Sequence, residues 1–180
     1  MQHTEQEILY LQRNNYDTDN MISYAWRINK YISPGDSVLD IGCGLGHQTY
    51  HIYQLKPQCM YILLDLDEVD LTNKKNYSTN GYPHNSLDLT KQFVHTKMNS
   101  SVIVQDINLY EWNIDVDVVL STLSWGWHYP IDTYLDKVLV NNPKHIIFDT
   151  RLKSVTIPGY KCVDKFSINR KETTVVFKRI

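Results

Sequence analysis

The chain has 180 residues, 42% hydrophobic and 21% charged, with a formal net charge of −2. That excludes a disordered chain and gives one domain of ordinary size with room for a core. No apolar run approaches the roughly 18–20 residues of a membrane span, and the polar, acidic start Met1-Gln2-His3-Thr4-Glu5 lacks a signal-peptide pattern. Cys43, Cys59 and Cys162 are scattered and form no Cys-x-x-Cys. A disulfide scaffold or zinc site is therefore not expected, and a reducing, cytoplasmic compartment is. Charge is uneven: residues 1–142 hold 9 Lys and Arg against 17 Asp and Glu, and residues 143–180 hold 9 against 3. The basic end could attract nucleic acid, but strand-edge cations that discourage aggregation are the favoured explanation.

In chain order, residues 1–32 form a helical arm ahead of the main domain at 33–180. Ile8, Leu9, Leu11 and Gln12 suggest a first helix, and Ile22, Trp26, Ile28, Tyr31 and Ile32 a second, capped by Asp19 or Asn20. Tyr10, Tyr16, Tyr24 and Trp26 of this arm could line a pocket, but aromatic residues at these spacings are more often core, and Trp26 is expected there. Ser33-Pro34-Gly35-Asp36 closes the arm, and Ser37–Ile41 reads as a buried strand. It runs into Gly42, Gly44 and Gly46, which permit a sharp turn at positive φ, and then into a helix from about Gly46 to Leu55. The helix start offers free N–H groups to an anion.

A second strand, Met60–Leu64, stops at Asp65, whose two oxygens could accept both hydroxyls of a ribose. Asp67 is the rival, although Asp67 and Glu68 also suit a helix cap. Residues 69–83 are weakly patterned, and Asn85–Val94 has helical periodicity. The third strand, Ser101–Gln105, ends at Asp106, which could receive an adenine amine while Ile107 packs on the ring. The fourth, Asp117–Ser121, leads to Leu123-Ser124-Trp125-Gly126-Trp127-His128-Tyr129-Pro130, a loop at the carboxyl end of a strand, where ligands of open α/β sheets sit. One of the two tryptophans is expected in the core. Pro130 opens a helix, Ile131–Val140. A fifth strand, His145–Asp149, precedes two more at 159–166 and 172–179, joined at Asn169-Arg170-Lys171.

The dinucleotide fingerprint Gly-x-Gly-x-x-Gly fails on spacing, because His47 or Thr49 stands where the last glycine belongs. Asp40-x-Gly42-x-Gly44-x-Gly46 instead resembles motif I of the class I S-adenosylmethionine-dependent methyltransferases, and the ordered acids and closing hairpin extend the likeness over residues 35–180. It implies an α/β, Rossmann-like sandwich on a mostly parallel seven-stranded sheet with a C-terminal antiparallel hairpin. It also implies S-adenosylmethionine as cofactor, bound by Asp40, Gly42, Cys43, Gly44, Gly46, Asp65, Leu66, Asp106, Ile107 and Ser121. More narrowly, Gly81–Leu87 and Leu123–Pro130 look like segments of small viral and microbial sugar-methyltransferase-like proteins. The Asn/Asp-Pro-Pro-aromatic tetrapeptide of amino-methyltransferases is absent after the fourth strand, which argues against adenine or glutamine amines.

The expected activity is methyl transfer to an oxygen of a small-molecule or sugar acceptor, with His128 as general base. The alternatives are a cofactor-binding module acting with a protein or nucleic-acid partner, and an RNA or protein methyltransferase. A metal and a membrane are not expected, and the oligomeric state is open.

Overall fold

The computed structural model describes residues 18–66, 87–98, 101–167 and 173–180. The expected first helix with Tyr10 and Tyr16, Asp67 and Glu68, the 69–83 stretch, Gly81–Ser86 and the 169–171 joint lie outside the described residues.

Seven strands form one sheet: β1 (Ser37–Ile41), β2 (Met60–Asp65), β3 (Val102–Asp106), β4 (Val118–Ser121), β5 (His145–Thr150), β6 (Tyr160–Phe166) and β7 (Thr173–Arg179). Their order is β3-β2-β1-β4-β5-β7-β6. The first five are parallel; β7 inserts antiparallel between β5 and β6. Every strand expected from the sequence is present, with ends moved by a residue at most. The helices are α1 (Thr18–Ile28), α2 (His47–Leu55), α3 (Leu87–Lys97) and α4 (Leu135–Val140).

The inner strands read as continuous apolar runs because both faces are covered. Alternate side chains go to opposite layers. Val38, Tyr61, Leu63, Val118, Leu120 and Ile147 pack with Tyr24, Ala25 and Ile28 of α1, Ile52 of α2 and Phe93 of α3. Leu39, Ile41, Ile62, Leu64, Val119, Ile146 and Phe148 pack on the other face with Ile107, Trp125 and Val138.

Two expectations are corrected. Trp26 is not core but 63% exposed. The buried stripe of the N-terminal helix is Tyr24, Ala25 and Ile28, and Ile32 is buried just beyond the 3-10 turn Asn29–Tyr31 that follows it. Position 26 lies two residues from 24 and 28, about 200° around the helix, and so faces water. The helix expected over Ile131–Val140 is also broken. A 3-10 turn at Ile131–Thr133 is separated from α4 by Tyr134, at φ −127° and ψ −1°.

Candidate functional site

The parallel register sets the site. Asp65 at the end of β2 lies directly beside Asp106 at the end of β3, and Asp40 on β1 beside Leu63. Past β1 the chain turns at once: Gly42 N–H (2.7 Å) and Cys43 N–H (3.1 Å) both donate to the Leu64 carbonyl. Gly42, Gly44 and Gly46 have φ of +74°, +56° and +83°, the left-handed region that favours glycine. A Cβ on Gly46 would sit 2.9 Å from Leu63 Cδ2, so the third glycine lets α2 close onto the sheet. A Cβ on Gly42 would collide with the Ser124 side chain, so the loop after β4 rests directly on the turn.

Asp65 ties the two landmarks together. Its Oδ2 accepts the Gly44 N–H at 2.7 Å and its Oδ1 the Leu66 N–H at 2.8 Å. One lone pair per oxygen is left. Burial raises its carboxyl to about 6 despite those two N–H bonds. Asp65 lines a narrow cleft with Ile41, Gly42, Leu66, Ile107, Ser124, Tyr129 and Tyr134.

Asp40 lies beneath the turn, 1% exposed. The Thr49 hydroxyl of α2 donates to its Oδ2, while Oδ1 has no hydrogen-bond partner. Burial raises Asp40 to about 7, and the Thr49 bond opposes that shift. Asp149 and Tyr24 belong to the same buried polar group: Thr174 Oγ1 donates to Asp149 Oδ1 at 2.6 Å and the Leu123 N–H to Oδ2 at 3.1 Å. The Asp149 and Asp40 charges add to burial in raising the Tyr24 phenol.

The other expected residues take varied places. Ile107 and Leu66 are cleft walls. Asp106 accepts the Asn108 N–H at 2.7 Å in a local turn and does not line the cleft. Neither does Cys43, whose thiol burial pushes up. Ser121 is fully buried, donates to the Ile41 carbonyl at 2.7 Å and accepts the Trp125 N–H at 2.9 Å, so it ties the loop to β1.

Trp125 anchors that loop. It is fully buried, 5.3 Å from the Phe148 ring, and its Nε1 donates to the Ile131 carbonyl at 2.7 Å. The Ser124 carbonyl accepts the N–H groups of Trp127 (3.0 Å), His128 (2.7 Å) and Tyr129 (3.3 Å). Leu123 takes φ +53°, an uncommon conformation for a leucine that these bonds hold in place. Trp127 stacks under Arg151 with 4.1 Å from ring centre to Cζ. His128 is exposed at its surface and lies outside the cleft wall, and the loss of part of its ring's hydration together with the Arg151 charge holds it below its ordinary value.

Sequence reasoning missed Ser124, Tyr129 and Tyr134 as cleft residues and Asp149 as a partner of the buried acid group. Asp149 carried a usable signal, an acid at the carboxyl end of an inner strand. Ser124 and Tyr129 lie in the Leu123–Pro130 loop that the sequence places at the site, without being singled out, and Tyr134 comes from the break between the 3-10 turn and α4.

No protein-family model and no curated protein matches this chain. Solved structures do. A protein of the NADB-Rossmann superfamily from Streptococcus agalactiae is 12% identical over 99% of this chain and 69% of its own, with TM-score 0.61. The 16S rRNA methylase ArmA is 14% identical over 98% and 92%, with TM-score 0.56. The rRNA methyltransferase aviRa from Streptomyces viridochromogenes is 13% identical over 86% and 83%, with TM-score 0.54. The expected small-molecule or glycan acceptor, with nucleic acid disfavoured, is overturned by these neighbours, two of which are rRNA-modifying by name. The narrower likeness to viral sugar methyltransferases draws no support from them either. At such identities the likeness is one of fold: the chain has the Rossmann-like α/β fold of these methyltransferase structures, with an antiparallel C-terminal strand pair closing a mostly parallel sheet.

Proposed function

We propose that this chain is an S-adenosylmethionine-dependent methyltransferase acting on RNA. The observation that carries the cofactor half is Asp65, a half-buried carboxylate with an open lone pair on each oxygen, on a cleft walled by Ile41, Leu66 and Ile107. A nucleoside needs that combination, an acceptor pair for the ribose diol and apolar surface for a flat ring. The unpartnered Asp40 Oδ1 under the glycine turn suits the cofactor's ammonium group, since a buried acceptor without a donor costs about 1–3 kcal/mol. The rRNA methyltransferases with this fold support RNA as the acceptor.

When bound, the cofactor supplies an activated sulfonium methyl group. The protein's own work is alignment: Asp65 and Asp40 fix the two ends of the donor, and Gly42 and Ser124 border the space between them. Holding two reactants in line can supply on the order of 7–11 kcal/mol in ideal cases. The accepting atom gives up a proton as the new bond forms, and His128, next in the chain to the cleft-lining Tyr129, is the proposed receiver. Its lowered pKa keeps the imidazole neutral, and so able to accept a proton, at pH 7.

Two measurements test this. Incubating the pure protein with methyl-labelled S-adenosylmethionine and total RNA should transfer label to RNA, sensitive to ribonuclease; label reaching no RNA fraction contradicts the reading. The His128→Ala variant should lose about 10²–10⁴-fold in kcat with cofactor affinity unchanged. Unchanged kcat removes His128 from the chemistry.

A further inference from the structure

The basic residues of the C-terminal segment divide by what they touch. Lys144, before β5, is held by Asp36 at 3.0 Å and Asp117 at 2.9 Å, and Arg179 donates to the Asn142 carbonyl at 2.6 Å. Both lie at the amino-terminal end of the parallel strands, away from the cleft. Arg151, Lys153 and Lys165 lie at the other end. Thr150 pairs with Thr173, and Phe166 with Thr174, so the close of β6 comes beside the close of β5. All three are exposed, and among the described residues none forms an ion pair. Lys165 Nζ instead donates to the Lys153 carbonyl at 3.2 Å, which draws the cations together.

Arg151 is held in place by stacking on Trp127. An arginine fixed by an indole, with no counter-ion among the described residues, keeps its fork of N–H donors for a planar or tetrahedral anion. Protection of a sheet edge does not explain the group. β6 is an edge strand, but Arg151 and Lys153 follow β5, which lies inside the sheet between β4 and β7. The patch borders the Ser124–Tyr129 loop, and Tyr129 is both a cleft wall and 41% exposed. Polyanion bound at this rim therefore lies beside the cleft mouth.

We infer that Arg151, seated on Trp127, together with Lys153 and Lys165 grips the phosphates of a single-stranded RNA segment next to the nucleotide that enters the cleft. This deepens the proposed RNA reading and rests on it. Single-stranded RNA fits because a base inside a duplex cannot reach a cleft set below a rim, whereas an unpaired one can turn inwards.

The test is fluorescence anisotropy of a short unstructured oligoribonucleotide over a salt series, with methyl transfer to RNA measured in parallel. Arg151→Gln with Lys153→Gln should lower the slope of log K against log salt by about 1.4, at about 0.7 per lost phosphate contact. RNA KM should rise and cofactor affinity stay unchanged. Lys161→Gln with Lys178→Gln makes the same charge change on a facing pair at the far end of the sheet and should leave the slope as in wild type. Trp127→Leu, which frees Arg151, should weaken binding while retaining both cations. The grip is overturned if the rim variant keeps the wild-type slope, or if the far-end variant loses as much. Wild type that methylates RNA with an unaltered rim-variant KM leaves the RNA reading standing without the grip. Wild type that neither binds nor methylates RNA removes both.

Discussion

Asp40 is a fully buried carboxyl under electrostatic tension. Its folded value near 7 lies well above the ordinary 3.8, so between about pH 4 and 7 the folded state holds a proton that the unfolded chain has released. Stability must then fall as pH rises through this window, because the native form binds more protons. Asp65, raised to about 6, pulls the same way. Asp40→Asn should flatten the decline and be more stable than wild type at pH 8 by on the order of a few kcal/mol, read from urea denaturation across pH. An equally steep decline in the variant would show that Asp40 does not carry it. Asp40 and Asp65 were legible in the sequence because each closes or nearly closes an apolar strand before a turn. Ser124 was not: its contact with Gly42 spans 82 positions and depends on how the loop folds back.

At the scale of elements, the N-terminal helix is tied to the far edge of the sheet by one carboxylate. A register shift between Cys162 and Asp164 in β6 marks the place. There Asp164 accepts from the Tyr31 hydroxyl at 2.7 Å, Lys30 Nζ at 3.1 Å and Arg27 Nη2 at 3.3 Å. The Tyr31 hydrogen bond is the largest cause that holds Asp164 at about 2. The sign is opposite to that of Asp40: this stabilisation is present above about pH 4 and is lost as pH falls towards 2. Since the two cations are half exposed, most of the effect rests on the tyrosine bond. Asp164→Asn should cost about 1 kcal/mol at pH 7, with the gap to wild type closing in acid. A gap that stays constant with pH would mean the charge is not involved. The strands were legible as elements because parallel strands covered on both faces leave long apolar runs. The exposure of Trp26 was not, since it follows from which helix face finds a partner.

For the whole molecule, strand order and charge placement point the same way. Five parallel strands bring Asp65, the glycine turn and the loop after β4 to one end of the sheet, and Arg151, Lys153 and Lys165, which form no ion pair among the described residues, gather at that end too. The overall architecture was legible from the ordered landmarks alone. The proposed RNA acceptor was not, because the cations that favour it come together only at the ends of β5 and β6, and the chain's net charge of −2 conceals them. The central claim is that the cleft beside Asp65 holds a nucleoside cofactor. Calorimetric titration of wild type and Asp65→Ala with S-adenosylmethionine and its demethylated product tests it most directly. Micromolar binding that the substitution weakens by more than about tenfold, roughly 1.4 kcal/mol, is the predicted result; folded wild type that binds neither compound would contradict the account.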